Sequence, residues 1–137
     1  MIKKFINKYF IGKLFHLKDI SKKTDNRDYQ FVLKYHKDDI GYLDYSNSVW
    51  SFYYSDWFKN QSDIKTLLEF PKSEEKYSSN QLWVFFANRI PSFKQPNIKE
   101  FIKNNPNEKT NLVKLLGKFG KYSVNNPFVL EYNKNFT

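Results

Sequence analysis

Apolar and aromatic side chains alternate with polar or smaller ones in two segments of the first half of this chain. They are Phe31, Leu33 and Tyr35 in the first and Trp50, Phe52 and Tyr54 in the second. Between these segments, Ile40, Tyr42 and Asp44 start a further strand that passes Gly41. Residues 37–39 and 46–48 lie between the segments and have the composition of tight turns. A period of two residues is typical of strands with one buried face, so three short strands joined by tight turns predict an antiparallel meander.

Beyond residue 54 the period changes, and short helices and loops are predicted. We predict one helical turn over 55–61 capped by Ser55, a strand or extended arm over 64–70 ended by Pro71, and a polar loop over 72–80. An apolar helix over 81–89, capped by Ser79 or Asn80, and a helix from Pro96 through Asn104 follow. The last elements are a helix capped by Asn107 that closes at Gly117 or Gly120 and an extended segment over 127–132. No internal repeat is visible, so the pattern indicates one domain.

The first 20 residues have a different pattern, in which apolar residues recur at helical spacing and most lysines lie elsewhere on the helical wheel. The apolar positions include Ile2, Phe5, Ile6 and Tyr9, and the basic ones include Lys3, Lys4 and Lys8. We therefore predict a basic amphipathic helix over 1–20, a polar linker over 21–28, a domain over 29–132 and a tail over 133–137. A lone helix of this length is marginal in water and needs a surface to lie on. Three surfaces are open to it: this protein's own sheet, a partner protein, or an anionic membrane, with docking on protein as the first expectation.

The positive charge is concentrated in the same N-terminal region. Residues 1–24 contain seven lysines and one aspartate, a net +6, whereas residues 25–137 contain 16 basic and 13 acidic side chains, a net +3; together they give the +9 of the whole chain. Because phosphate contacts require positive charge, we expect any nucleic-acid binding to depend on residues 1–24 rather than on the body of the protein.

Candidate catalytic and metal-binding groups are sparse. The 137 residues include no cysteine and two histidines, His16 and His36, and no carboxylate lies at metal-ligand spacing from either histidine. The run from Gly117 to Ser123 lacks the spacing of a phosphate loop and follows a predicted helix. We therefore expect no catalytic residue, no metal, no cofactor and no small-molecule substrate, which means that the protein is predicted not to be an enzyme.

The hydropathy of the chain also predicts its location. No stretch approaches 18 apolar residues, and the basic N-terminus is interrupted by Lys8 and Lys13 and is not followed by a small-residue cleavage site. We expect a cytoplasmic protein. The alternative location is a peripheral one, at the inner face of the membrane.

The most apolar segment covers residues 82–96, and it offers the candidate partner-binding residues. Trp83, Phe86 and Arg89 follow one another at intervals of three residues, and Pro91 ends the segment. Tryptophan and arginine are enriched among binding hot spots, so these four residues are a candidate partner-binding surface. The alternative is that Trp83 and Phe86 belong to the core and that Arg89 pairs with an internal carboxylate.

Several short motifs occur in a defined order between residues 31 and 120. They are a first strand over 31–35, DIGYL over 39–43, WSFYY over 50–54 followed by DWF over 56–58, LLEFP over 67–71, FFANRIP over 85–91, and LVKLLGKFG over 112–120. Their order and spacing resemble the N-terminal domain of HipA-type serine/threonine kinases, the toxins of bacterial toxin–antitoxin pairs. Two steps depart from that pattern: Ser92 stands where an acidic residue often follows, and residues 123–127 replace the closing G-A-V step.

The resemblance implies a partner and a role. The ATP-binding and catalytic residues of the kinase body have no counterpart in this sequence, so none is carried over. What the resemblance implies is the small subunit of a split HipA system, which binds the kinase subunit and acts as an antitoxin. We therefore expect an α+β fold, an antiparallel β-meander with short helices packed on it plus an N-terminal amphipathic helix, and a non-catalytic regulatory module that binds a HipA-like kinase subunit. The alternatives are a small basic protein associated with nucleic acid and a peripheral membrane protein anchored by its N-terminal helix.

Overall fold

A computed structural model describes residues 28–106 and 111–136, which form a five-stranded antiparallel sheet with short helices. The elements are β1 (Tyr29–Tyr35), β2 (Asp38–Ser46), β3 (Val49–Tyr54), α1 (Asp56–Lys59), β4 (Tyr77–Ser79), α2 (Val84–Ala87), α3 (Pro96–Asn104), α4 (Leu112–Phe119) and β5 (Val129–Tyr132). The strand order is β4-β3-β2-β1-β5, with every neighbouring pair antiparallel. The α+β class and the meander are confirmed, and the helix predicted over 1–20 lies outside the described residues.

Two-residue turns join the three strands of the meander. His36 and Lys37 connect β1 to β2, and Asn47 and Ser48 connect β2 to β3. Asn47 and Ser48 both have positive φ, 53° and 66°, which is typical of the type I′ turn whose twist matches that of the flanking strands. The turn predicted over 37–39 is wrong in position, because Tyr35 pairs with Asp38 and thereby places the aspartate in β2.

Gly41 lies where the meander is most tightly packed. The register between β1 and β2 shifts between Leu33 and Lys34, and Ile40 and Gly41 are both buried opposite that irregularity. A Cβ atom on Gly41 would lie 2.7 Å from Cζ of Phe52 and 2.8 Å from the backbone oxygen of Tyr53. Both distances are shorter than a carbon atom tolerates, so this position requires glycine.

The hydrophobic core lies on one face of the sheet. The strands contribute the alternating positions that the sequence indicated, namely Phe31, Leu33, Trp50, Phe52 and Tyr54, together with Leu43, Tyr45 and Leu130. The loops and helices close the core from the other side with Phe58, Phe70, Leu82, Phe86, Ile90, Leu115 and Leu116. The sheet therefore has an inner face, covered by the helices and loops, and an opposite face, which we call the outer face.

Helix α4 covers part of the inner face of the sheet. It buries four apolar residues, Leu112, Val113, Leu115 and Leu116. The carboxamide oxygen of Asn111 caps it by accepting a hydrogen bond of 3.1 Å from the backbone N–H of Lys114. The prediction that Asn107 caps this helix is therefore wrong, whereas Gly120 is confirmed as the residue that ends it.

Of the two edge strands of the sheet, β5 was predicted as an extended segment and β4 was not predicted. Residues 77–79 were predicted to be polar loop, but they pair with β3 as the short edge strand β4, from Trp50 opposite Ser79 to Phe52 opposite Tyr77. The extended segment predicted over 127–132 is confirmed as β5, and its pairing with β1 completes the other edge of the sheet. Neither pairing is visible in the local pattern, because each joins segments far apart in the chain.

Outside the meander, some of the predicted helices are confirmed and one is shorter than predicted. Ser55 caps α1 by accepting a hydrogen bond from the N–H of Phe58 at 3.0 Å, and Pro96 begins α3, as predicted. The helix predicted over 81–89 is a single turn, α2, whose N-cap is Trp83 and not Ser79 or Asn80. In the part of the chain that the structure describes, no helix is long and apolar enough to cross a bilayer.

The hydroxyl of Tyr54 fixes the irregular segment between α1 and β4. It donates a hydrogen bond of 2.7 Å to the carbonyl oxygen of Phe70 and accepts one of 2.8 Å from the N–H of Leu67. Both backbone groups lie over the core, and the segment over 64–70 forms no strand. Burial raises the pKa of Tyr54 to about 12, so the hydroxyl stays protonated and keeps both bonds.

Tyr54→Phe is expected to lower the free energy of unfolding by about 2 kcal/mol, because it leaves two buried backbone groups without a partner. Urea denaturation followed by tryptophan fluorescence measures the change. Tyr122→Phe is the matched control, because Tyr122 is exposed, and it should change stability by less than about 0.5 kcal/mol. Equal effects of the two substitutions would contradict the role assigned to the Tyr54 hydroxyl.

Candidate functional site on the outer face of the sheet

The outer face of the sheet carries a mixed aromatic and polar surface. Because side chains on a strand alternate between the two faces, the residues between the core positions point outward: Gln30, Val32 and Lys34 on β1, Tyr42 and Asp44 on β2, Ser51 and Tyr53 on β3, and Glu131 on β5. Val32 is buried without belonging to the core cluster. The outer face therefore has an apolar centre of its own.

Tyr42 and Tyr53 form an aromatic pair beside that centre. They lie directly opposite each other on β2 and β3, with ring centroids 5.3 Å apart and a tilt of 37°. Partial burial raises the pKa of both hydroxyls, helped by the charges of Asp39 and Asp56 at Tyr42 and by that of Asp44 at Tyr53, whose pKa rises to about 12. Both tyrosines are therefore neutral at physiological pH. The hydroxyl of Tyr42 can donate a hydrogen bond to a ligand, whereas that of Tyr53 already bonds to Asp44.

Gln30 holds this arrangement in place. Its side-chain nitrogen donates to Oδ1 of Asp44 at 2.9 Å and to the hydroxyl of Tyr53 at 3.3 Å. Its side-chain oxygen accepts a hydrogen bond of 2.9 Å from Nδ2 of Asn133, just beyond β5. The network joins three strands and the residue that follows β5, and it gives Tyr53 of the aromatic pair a defined orientation.

A groove of about 690 Å³ opens next to the aromatic pair. We call it the outer-face groove; it is lined by Lys34, Lys37, Asp38, Asp39, Tyr42, Tyr53, Tyr54, Ser55, Asp56, Trp57 and Lys59. Trp57 on α1 is 42% exposed. Ser55 fixes α1 against β2, because its N–H donates to the carbonyl of Ile40 at 2.9 Å and its hydroxyl donates to the carbonyl of Asp39.

The charges around the outer-face groove are balanced. The lining contains three lysines and three aspartates. Lys34 forms an ion pair of 3.4 Å with Asp39 and a second one of 3.7 Å with Glu131. A groove with an exposed tryptophan, two tyrosine hydroxyls and alternating charges is suited to a protein surface, whereas a nucleic-acid backbone requires a net positive charge.

The four residues predicted as a partner-binding surface do not share an exposed face. Phe86 is fully buried and Arg89 is 3% exposed, whereas Trp83 and Pro91 are half-buried. Phe86 packs against Phe52, with ring centroids 5.6 Å apart. The interval of three residues required a helix over 81–89, and the actual helix is one turn that directs Phe86 into the core. The prediction of a common exposed patch is therefore wrong for Phe86 and Arg89.

Within residues 28–106 and 111–136, the partners of Arg89 are neutral oxygen atoms and none is a carboxylate, so the alternative prediction of an internal ion pair finds no support there. Nη1 donates to the carbonyl oxygens of Gly120 at 3.2 Å and Lys121 at 3.1 Å. Nη2 donates to Oδ1 of Asn126 at 3.0 Å and to the carbonyl oxygen of Phe128 at 2.9 Å. Burial lowers the pKa of Arg89 to about 10, so the guanidinium stays charged at neutral pH. Its role in the fold is to hold the segment over 120–128.

The remaining predicted site residues lie outside the described part of the chain. These are the helix residues Ile2, Lys3, Lys4, Phe5, Ile6, Lys8 and Tyr9. Within residues 28–106 and 111–136, no group of three or more histidine, cysteine, aspartate or glutamate side chains could hold a metal ion.

The residues of the outer-face groove were not singled out from the sequence, although one signal was present. Tyr53 is out of phase with Trp50, Phe52 and Tyr54, which indicates an aromatic side chain on the outer face. Tyr42 was counted among the positions that define its own strand, whose core residues are Leu43 and Tyr45. Trp57 follows the capping residue Ser55 by two positions, on a helical turn too short to bury both of its aromatic residues. Only the hairpin register places these three residues around one groove.

The chain matches no protein-family model and no curated protein. The likeness to the N-terminal domain of HipA-type kinases therefore depends on the order of its motifs. Several of those motifs lie around the core and the groove: WSFYY lies in β3, DWF lies on α1, and FFANRIP covers most of α2 and includes Arg89.

Proposed function

We propose that this protein is a non-catalytic interaction module that binds a HipA-type kinase subunit through the outer-face groove. The observation that carries the proposal is the exposed side chain of Trp57 beside the Tyr42–Tyr53 pair, in a groove whose charges balance. Tryptophan and tyrosine are the residue types most enriched at the centres of protein–protein interfaces.

The rigidity of the groove supports this proposal. The Gln30 network orients the Tyr53 side chain, and the hydrogen bonds of Ser55 hold the backbone of α1, from which Trp57 projects. Side chains that are already held in their bound orientation lose little conformational entropy when a partner docks. The partner class comes from the resemblance, which implies a kinase body that binds this domain as a separate subunit.

Trp57→Ala is expected to weaken capture of the kinase subunit at least tenfold, which corresponds to ~1.4 kcal/mol. The full chain with a C-terminal affinity tag is used to isolate complexes from its own cells, and the captured proteins are quantified by mass spectrometry. The affinity for the purified kinase subunit is then measured by titration calorimetry. Trp57 is 42% exposed and lies outside the core cluster, so the variant should keep the melting temperature of the wild type.

Tyr122→Ala is the matched control for Trp57→Ala, because Tyr122 is an exposed aromatic residue outside the groove. It should leave capture of the kinase subunit unchanged. If the wild-type chain captures no kinase-like protein, the proposed partner is wrong. If Trp57→Ala and Tyr122→Ala weaken capture equally, the partner is retained but the groove is not the binding site.

A further inference from the structure

The net charge of the body of the protein is unevenly distributed over the fold. Residues 28–59, which form the meander and α1, contain three lysines and five aspartates, a net −2. Residues 94–121, which include α3 and α4, contain six lysines and one glutamate if residues 107–110 are left aside, a net +5. Residues 107–110 add one glutamate and one lysine, and the rest of the body is balanced. Residues 25–137 therefore contain one basic region, although their net charge is only +3.

The basic region includes two helices, α3 and α4, that meet at one aromatic contact. The rings of Phe101 on α3 and Phe119 on α4 lie edge to face, with centroids 5.3 Å apart. Nζ of Lys118 lies 5.9 Å from the centroid of the Phe101 ring, at the junction of the helices. Lys99 and Lys103 are exposed one helical turn apart on α3, as expected for side chains that share a helix face.

We call the lysine surface the set of Lys94, Lys99, Lys103, Lys114, Lys118 and Lys121. Five of the six are exposed, and Lys114 is half-buried. In the described part of the chain, the lysines that form ion pairs are Lys34 and Lys72, and none of these six does so. Their charges are therefore not neutralised by described carboxylates and are available to a polyanion.

An exposed aromatic residue lies at the end of this surface. Tyr122 follows α4, is 68% exposed, and has Nζ of Lys121 5.5 Å from its ring centroid. The preceding backbone is fixed, because the carbonyl oxygens of Gly120 and Lys121 accept hydrogen bonds from the buried Arg89. The tyrosine ring is thus presented to solvent from an anchored segment, next to a cation.

We propose that the lysine surface binds single-stranded nucleic acid, with phosphates on the lysines and a base stacked on Tyr122. Lysines that neutralise phosphates release condensed counterions, which supplies affinity without sequence preference. Stacking of a base on an aromatic ring adds to that affinity and also tolerates any base. An anionic membrane fits less well, because the exposed positions of α3 are lysine, asparagine, glutamate and proline, with no large apolar side chain to enter a bilayer.

The test compares two double variants of the full chain that change net charge equally on different sides of the fold. Lys99→Gln with Lys118→Gln alters the lysine surface, and Lys37→Gln with Lys59→Gln alters the outer-face groove. Binding to a fluorescein-labelled oligothymidylate is measured by anisotropy at several salt concentrations. We expect the first variant to bind roughly tenfold more weakly, with a salt slope lower by about 1.4 for two lost contacts. The second variant should bind within about twofold of wild type, since its lysines contact no phosphate.

A third variant tests the stacking contact. Tyr122→Ala should weaken oligothymidylate binding roughly tenfold and leave the salt slope unchanged, since no charge is removed. The proposal is overturned if the wild-type chain does not bind the oligonucleotide, if both double variants weaken equally, or if neither weakens, which would place binding in residues 1–24. Binding to phosphatidylserine vesicles but not to the oligonucleotide would also overturn it and would identify a membrane surface.

Discussion

Arg89→Ala is expected to lower the free energy of unfolding by about 3 kcal/mol. The substitution leaves three backbone carbonyls and the side chain of Asn126 without the donors that now bind them, and a buried acceptor without a partner costs about 1–3 kcal/mol. Removal of a buried charge offsets part of this loss, so the total is smaller than the sum of four separate penalties. Urea denaturation followed by circular dichroism measures the effect.

Arg89→Lys is the control that separates charge from geometry. A lysine keeps the positive charge, but a single ammonium group cannot reproduce the planar fork that reaches four oxygen atoms. We expect a stability between those of the wild type and the alanine variant. A loss below about 1 kcal/mol for Arg89→Ala would contradict the assignment of Arg89 as the residue that holds the segment over 120–128.

Phe86→Ala is expected to lower the free energy of unfolding by about 3–5 kcal/mol, because a fully buried aromatic side chain leaves a cavity that its neighbours fill only in part. The ring of Phe86 packs against those of Phe52, Phe70 and Phe85, with centroid separations of 5.6, 6.1 and 5.0 Å. Thermal and urea unfolding of the purified variant measure the loss.

Phe86→Leu keeps most of the buried volume and should cost less than about 1.5 kcal/mol. The comparison also decides between the two interpretations of Phe86. A core residue affects stability first and partner binding only through unfolding. If Phe86→Ala kept the wild-type stability and abolished capture of the kinase subunit, the surface role predicted from the sequence would be correct and the core assignment would be wrong.

Trp57 and Tyr122 allow the two functional proposals to be tested independently of each other. Trp57→Ala is expected to weaken kinase capture and to leave oligonucleotide binding unchanged, whereas Tyr122→Ala is expected to do the opposite. Both side chains are substantially exposed, so neither substitution should disturb the core. A failure in one assay therefore refutes one proposal without affecting the other.

The sequence determined the features that depend on neighbouring residues. The alternation of Trp50, Phe52 and Tyr54 was sufficient to predict β3, because a period of two puts the same side of a strand against the core. Ser55 and Pro96 marked the start of helices, since a cap and a proline satisfy or remove backbone donors within a single turn. These are local interactions, so the α+β class and the meander followed from local pattern alone.

Other features depended on contacts between distant parts of the chain. The apolar segment around Phe86 has no strong periodicity of its own, so the interval of three residues suggested a helical face that the tertiary structure does not form. Arg89 was expected to bind either a partner or a carboxylate, and its actual ligands are oxygen atoms more than 30 positions away. No local rule specifies such a set, because backbone carbonyls occur at every residue.

The sequence by itself determined the three strands of the meander and the extended segment that forms β5, where several turns and caps lie, and that the positive charge of the N-terminal region exceeds that of the body. Only the tertiary structure decided which side chains share a surface. Strand pairing brought Tyr42 and Tyr53 together beside Trp57, and the contact between Phe101 and Phe119 brought together two helices that both carry lysines. The physical reason is that secondary structure depends mainly on interactions between residues close in sequence. A binding surface, in contrast, consists of charges and side chains from distant parts of the chain, which only the folded structure brings together.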